Sequence, residues 1–267
     1  VDVTGPISAL PKLAESPDVR LKWRVLEWDS EQFGMLAARI EELRAQGDYW
    51  QARAVLRAQL QSLLAECRRA GVRHLTARVD SNDLAVVHAL EEADFELVDA
   101  ILTFEISLDD AAPAAPPGTR LFRPDDMEEI LAIARSAFRY DRFHADPSLP
   151  DGVADRLHEM WTRNCCLGIA ANTVLVAEEK GRLASFVTCR VDRCAARGTI
   201  VLVASAEWAR GRGAGRRASL AALHWFAEQG MKSVEVGTQL RNVPAARLYE
   251  SLGFKLARTS LTFRRTL

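Results

Sequence analysis

The sequence predicts an α/β chain of the α+β kind, with a mixed, mostly antiparallel sheet flanked by helices. Three observations predict it. Three strand-like runs, "TVLVAEE", "ASFVTCRVD" and "TIVLVAS", follow one another with only short breaks, which favours antiparallel pairing. Two helix-like segments precede them, and a strand, a helix and a closing strand follow. Finally, a glycine-rich stretch, "RGRGAGRR" from Arg210 to Arg217, stands between an apolar run and a helical pattern.

The elements of the second half read in order. "TRLFRP" is a short strand. "DDMEEILAIARSAF" is a helix with acidic residues in its first turn, where they suit the macrodipole. "RYDRFHADPSLP" reads as a loop and "GVADRLHEMWTRNC" as a second helix. The three strands come next. "GAGRRASLAALHWFAEQG" is a helix that Gly230 terminates. "SVEVGT" is a strand, and "VPAARLYESLG" is a helix with Pro244 in its first turn, where a missing N–H costs little. "KLARTSLTFRR" closes the chain as one strand or a pair.

Before this half lies "DDAAPAAPPGTR", Asp109 to Arg120, which has no periodicity and reads as a linker. The expected organisation is a domain over 1–108, a linker over 109–117 and a domain over 118–267. The end of the first half, from Leu63, aligns without gaps with the end of the second at a spacing of 159 residues. Leu64, Gly71, Glu91, Phe95, Leu97, Leu102, Thr103 and Phe104 fall on Leu223, Gly230, Glu250, Phe254, Leu256, Leu261, Thr262 and Phe263. That is eight identities in the 44 positions from Leu63 to Ile106, where ordinary composition gives roughly three. The reading helix, strand, helix, strand also repeats, so a degenerate duplication is expected. Its first copy has "QARAVL", Gln51 to Leu56, in place of "RGRGAG", and Leu90 in place of Tyr249.

Composition narrows the function. The chain has 267 residues, 48% hydrophobic, with a formal net charge of −1. Such balance argues against a nucleic-acid partner. No apolar run has membrane-spanning length, so no membrane association is expected. The first twenty residues show no basic start followed by an apolar block, and the missing Met reads as a processed or trimmed start. Cys67, Cys165, Cys166, Cys189 and Cys194 are odd in number and form no CxxC pair. They read as incidental thiols of a reducing cytoplasm, with no metal site.

The glycine stretch carries the chemistry. The first amides of a helix have no intrahelical partner, and the dipole there is positive, so the site suits phosphate. Gly211, Gly213 and Gly215 remove side chains that would keep an anion away, and Arg212, Arg216 and Arg217 add charge. The spacing is not that of a P-loop, which needs Lys-Ser/Thr, nor of the G-x-G-x-x-G dinucleotide fingerprint. "RGRGAG" fits Arg/Gln-x-x-Gly-x-Gly/Ala. A glycine turn without a ligand would also explain it. After the next strand comes "NVPAARLYESLGF", Asn242 to Phe254.

Together these two motifs, in this order of elements, resemble the GNAT superfamily of acetyl-CoA-dependent N-acyltransferases, over the segment from about Gly118 to Leu267. The resemblance implies a GNAT sheet preceded by a degenerate GNAT-like domain, and acetyl-CoA as cosubstrate. It implies that Arg210, Gly211, Arg212, Gly213, Ala214, Gly215 and Arg216 hold the diphosphate. Leu202, Val203 and Ala204, on a strand that splays from "SVEVGT", would pair with the pantetheine amides. Asn242 and Ala245 would meet the same arm. A backbone N–H of the "VLVA" strand would stabilise the oxyanion, and Tyr249 would protonate the departing thiolate. Tyr249 as a core aromatic is the other reading. His144 is the candidate base, because histidine titrates near neutrality. A plain loop histidine is the alternative.

A narrower likeness concerns the acceptor. "LEWDSEQFG", Leu26 to Gly34, and "DRFHADPSLP", Asp141 to Pro150, resemble segments of the dTDP-fucosamine-type acetyltransferases, which act on the 4-amino group of dTDP-linked amino sugars. The resemblance implies that Tyr140, Arg142, Phe143 and Asp146 contact the acceptor, with Asp141 beside them; Asp141 and Asp146 as caps of the loop before Pro147 is the other reading. Trp28 and Phe33 join that wall or pack in the core. An amino acid, an aminoglycoside, a polyamine or a protein N-terminus stands as another acceptor, and a coenzyme-binding sensor without turnover as another class. A homodimer is compatible with either the sheet edges or the extra domain.

Overall fold

The computed structural model describes residues 12–16, 19–108 and 113–267. Residues 109–112 of the expected linker, and most of the N-terminal stretch read for a signal, lie outside the described residues. The strands are β1 (Lys12–Ser16), β2 (Val19–Val25), β3 (Ala37–Ala45), β4 (His74–Asp80), β5 (Glu96–Ser107), β6 (Thr119–Leu121), β7 (Thr173–Glu179), β8 (Arg182–Asp192), β9 (Arg197–Ser205), β10 (Ser233–Gln239) and β11 (Lys255–Thr266). The helices are α1 (Glu27–Phe33), α2 (Tyr49–Arg69), α3 (Leu84–Glu92), α4 (Met127–Ala137), α5 (Arg142–Ala145), α6 (Val153–Cys166), α7 (Ala214–Glu228) and α8 (Val243–Ser251).

The 159-residue repeat is visible element by element. Shifting β4, α3 and β5 by 159 gives the bounds of β10, α8 and β11. Gly71 and Gly230, which end α2 and α7, have φ of 79° and 76°. Asp94 and Gly253, at the turns into β5 and β11, have φ of 54° and 90°. Left-handed backbone favours glycine, and aspartate is among the side chains that tolerate it.

Two compact units result. The C-terminal unit holds Leu102–Asp141 and Ala154–Arg258. The N-terminal unit holds the described residues up to Ile101, then Arg142–Val153 and Thr259–Leu267. The units therefore do not follow the linear division expected at 109–117. The reason is strand pairing: Ser260–Thr266 of β11 pairs antiparallel with Asp80–His74 of β4, so the last strand joins the first unit. The segment Arg142–Val153 follows because Asp146 is held by His74 and Arg264.

In the C-terminal unit, strands run in the order β5-β10-β9-β8-β7-β6. β6, β7, β8 and β9 are antiparallel, and β9 and β10 are parallel. Alternate residues of β7 face opposite layers, as the pleat requires. Val174 and Val176 pack with Ile130 and Ile133 of α4, while Leu175 and Ala177 pack with Ala218, Leu223 and Phe226 of α7. Phe226 explains Gly198: a Cβ there would lie 2.5 Å from the Phe226 ring. In the N-terminal unit the order is β1-β2-β3-β4-β11, and Leu56, Leu60, Leu63 and Leu64 of α2 pack on Ile40, Leu75 and Ala77.

Candidate active site

The glycine stretch forms an open helix mouth. Gly211 and Gly213 have φ of 73° and 77°. Gly213 is the N-cap of α7, and no side chain caps that helix. The first helical bond runs from the Arg217 N–H to the Gly213 carbonyl. The amides of Ala214, Gly215 and Arg216 therefore have no helical acceptor. A Cβ at Gly211 or Gly213 would meet no protein atom within 4 Å, so the space above them is open. Gly215 has a different reason. A Cβ there would stand 3.3 Å from Ser205 Oγ and 3.6 Å from Leu248 Cδ2, so this glycine lets α7 approach β9 and α8. Ser185, fully buried, donates its hydroxyl to the Ala214 carbonyl at 3.0 Å and fixes the first turn. Two arginines are committed: Arg210 donates to the Ser136 carbonyl, and Arg217 pairs with Glu179 at 3.3 Å. Arg212 and Arg216 are exposed.

Beside the mouth, β9 and β10 part. Their parallel register runs from Arg197↔Ser233 to Ile200↔Val236 and stops, while β9 continues to Ser205 along β8. The register against β8 skips Val201, so a bulge lies there. Just beyond it, the Leu202 N–H donates to Thr188 Oγ1 at 3.0 Å. Strand alternation then turns the Val203 N–H to the opposite edge, which β10 has left. Of the expected trio Leu202, Val203 and Ala204, Leu202 thus has its donor engaged inside the protein. Thr188, which has no motif around it, was not legible as a site residue. Its role depends on a register skip.

Asn242 is the N-cap of α8, and its Oδ1 accepts from the Ala245 N–H at 3.3 Å. Its repeat partner Asp83 caps α3 through the Val86 N–H at 3.1 Å. This position therefore has a structural task in both copies. Tyr249 is 5% exposed and packs against Phe104 and Phe254 at ring separations of 5.9 and 5.8 Å. Burial pushes its phenol well above the ordinary value, with no charged neighbour contributing. It stays protonated throughout the neutral range.

The expected acceptor residues divide. Tyr140 and Asp141 belong to the C-terminal unit; Arg142, Phe143, His144 and Asp146 belong to the N-terminal unit. Tyr140 is 42% exposed. Asp141 is buried and pairs with His158 Nε2 at 3.1 Å. His144 is half-buried on α5, a four-residue helix where a loop was expected. Asp146 is buried and accepts from His74 Nε2 at 2.9 Å and from the Ser148 hydroxyl at 2.6 Å. Arg264 Nε adds a charge contact at 3.1 Å, though its N–H is not aimed at the oxygen. Both carboxylate oxygens thus serve the fold. Within the N-terminal unit, "LEWDSEQFG" and "DRFHADPSLP" meet. Arg142 lies 3.6 Å from Asp29 and 4.3 Å above the Phe143 ring, and Phe143 stands edge-on to Phe33 at 6.1 Å. Phe33 is 4% exposed and also contacts His74, so it packs in the core.

The thiols play no part in this. All five cysteines are free, and burial pushes Cys67 and Cys165 up to about 12. No described helix is long and apolar enough to cross a membrane.

Comparison with known proteins agrees with this geometry. The model of the acetyltransferase (GNAT) family matches residues 127–254. The spore coat polysaccharide biosynthesis protein SpsD of Bacillus subtilis is 29% identical over 186 residues, 66% of this chain and 61% of that protein. A mycothiol acetyltransferase of Renibacterium salmoninarum is 28% identical over 195 residues, 69% of this chain and 56% of that protein. The chain thus spans less than two thirds of the length of both. The dTDP-fucosamine acetyltransferase of Escherichia coli is 24% identical over 185 residues, 69% of this chain and 78% of that protein. Among solved structures, a GCN5-related N-acetyltransferase from Sphaerobacter thermophilus superposes with a TM-score of 0.63 at 16% identity, over 92% of this chain and 76% of that one. That likeness is one of fold. The helix mouth of α7 and the parted strands β9 and β10 all lie within residues 127–254, the segment that matches the acetyltransferase (GNAT) family model.

Proposed function

We propose that the chain transfers an acetyl group from acetyl-CoA to a primary amine, and that the amine is the 4-amino group of a nucleotide-linked amino sugar. The observation that carries the transfer is the uncapped mouth of α7 beside the open edge of β9. The residues fit the cosubstrate: left-handed glycines leave room, three helix amides lack acceptors, and Arg212 and Arg216 bring positive charge. Acetyl-CoA supplies the activated thioester. The free amides of Ala214, Gly215 and Arg216, behind the turn of Gly211 and Gly213, bind the diphosphate. The open edge of β9 aligns the pantetheine arm, and the Val203 N–H stabilises negative charge on the thioester oxygen. Asn242 adds its side-chain amide to the same arm. Tyr249, whose phenol burial keeps protonated in the resting state at neutral pH, donates its proton to the departing sulfur. His144 accepts the proton of the incoming ammonium, directly or through water.

The amino sugar is supported by the two segments that meet at Arg142, Asp29, Phe33 and Phe143, and by the relatives named for dTDP-fucosamine and for spore coat polysaccharide. The mycothiol acetyltransferases among the relatives point to a second acceptor class. One panel decides: thiol release from acetyl-CoA is measured with a dTDP-4-amino-4,6-dideoxyhexose, an aminocyclitol glycoside, an aminoglycoside, spermidine and an amino acid. The sugar nucleotide is expected to exceed the others in kcat/KM by about a hundredfold or more. A different winner would replace the acceptor, and no release with any amine would leave a coenzyme-binding sensor.

A further inference from the structure

The N-terminal copy keeps the cleft of the C-terminal one but not its phosphate loop. β3 and β4 pair in parallel from Ala37↔His74 to Ile40↔Ala77 and then part, as β9 and β10 do. The register of β3 against β2 skips Glu41, the position that matches the bulge at Val201. Beyond it, the edge of β3 from Glu41 to Ala45 and that of β4 from Arg78 to Asp80 have no described strand between them. An open groove of about 790 Å³ lies there.

Its mouth is rebuilt for the opposite charge. α2 starts at Tyr49, so Gln51 to Leu56 are helical where the other copy has its glycine turn. Asp48 closes the helix mouth, accepting from the Trp50 and Gln51 N–H groups at 2.9 and 3.0 Å. A diphosphate would meet that carboxylate instead of bare amides. Asp80 and Asp83 stand in the same lining. Asp48, Asp80 and Asp83 each use only Oδ1 in hydrogen bonds with described residues, so each retains Oδ2 for a ligand. Glu41 and Glu42 also line the groove, held by Arg24 and Lys22, and Arg44 and Arg78 are its lining cations.

We propose that this groove binds an extended basic peptide segment, whose main chain pairs with the parted edges of β3 and β4 and whose cationic groups meet Asp48, Asp80 and Asp83. The open edges favour an extended chain of amides, because strand addition draws its affinity from main-chain hydrogen bonds. The carboxylates select the sign of its charge. The volume falls within the range of ordinary ligand sites, roughly 300–1,000 Å³.

The test uses the full chain and a fluorescein-labelled, end-blocked hexapeptide, Lys-Val-Lys-Val-Lys-Val, followed by anisotropy. Saturable binding is expected, unaffected by saturating acetyl-CoA. The Glu-Val hexapeptide and a version N-methylated at alternate amides are each expected to bind about tenfold more weakly or worse, a loss of about 1.4 kcal/mol. The double variant Asp80→Asn, Asp83→Asn should lose a similar factor with an unchanged circular dichroism melt, since asparagine is as good a cap as aspartate. No saturation, equal binding of the acidic or methylated peptide, displacement by acetyl-CoA, or an unaffected double variant would each overturn the proposal. Spermidine binding as tightly as the peptide would do the same, since it has no amides to pair.

Discussion

Tyr249 shows how one side chain serves fold and chemistry together. Its ring fills the layer between Phe104 and Phe254, and that same burial keeps its hydroxyl protonated. In the other copy Leu90 occupies this place and is fully buried, so the core accepts an aliphatic residue where no proton donor is needed. Tyr249→Phe keeps the packing and removes the proton. Turnover is expected to fall about a hundredfold, with acetyl-CoA affinity changed by less than about twofold. Steady-state thiol release together with calorimetry separates the two. An unchanged kcat would remove the general-acid role. Asn242 was legible by its spacing from Tyr249, yet its visible task is the cap that Asp83 performs too. For Asp146 the sequence shows a loop aspartate before proline, with its capping role legible, but nothing of His74, 72 positions away.

At the scale of elements, the mouth of α7 is the point where the two copies diverge most. Both helices end in the same glycine turn, yet α7 starts at Ala214 behind bare glycines and α2 starts at Tyr49 behind a capping aspartate. Gly213→Val tests what the bare mouth does. A β-branched residue at φ of 77° is strained by about 1–3 kcal/mol, and its side chain would stand in the open space above the amides. Acetyl-CoA binding by calorimetry is expected to weaken at least tenfold, equivalent to about 1.4 kcal/mol, and by more than the thermal melt falls. Equal losses in both would reduce the glycine to a structural turn. Periodicity and punctuation sufficed for α4, α6, α7, α8 and the strands of the C-terminal unit. They did not show α5, whose four residues are too few for a period, or the bulge at Val201, since no residue type marks a register skip. They left open whether the chain closes on one strand or two. It closes on one, the twelve-residue β11.

For the whole molecule, the repeat was legible because 159 residues separate like elements, whereas the seam between the units was not. A proline-rich stretch marks where the chain is loose, but compactness is decided by partners such as β4 and β11, about 190 positions apart. Asp146 is one of the ties that this pairing creates, and its titration makes the tie measurable. Burial alone would raise its carboxyl, but the hydrogen bonds from His74 and Ser148 outweigh that and hold it at about 2, below the ordinary 3.8. A carboxyl lowered in the fold contributes stability that is complete above the unfolded value and is lost as pH falls through the folded one. The tie is therefore fully present at pH 5 and above, declines from about pH 4 through about pH 2, and is gone near pH 1, for a total of about 2 kcal/mol. Urea unfolding at a series of pH values should show this decline in the native chain. Asp146→Asn should be less stable at pH 7, because it removes the carboxylate that accepts from His74 and Ser148 and one of the two carboxylates beside the buried Arg264, which keeps Glu96. It should also lack that part of the acid decline, so that the two curves converge below about pH 2. Parallel curves over the whole range would mean that Asp146 fills space in this unit without holding it by charge.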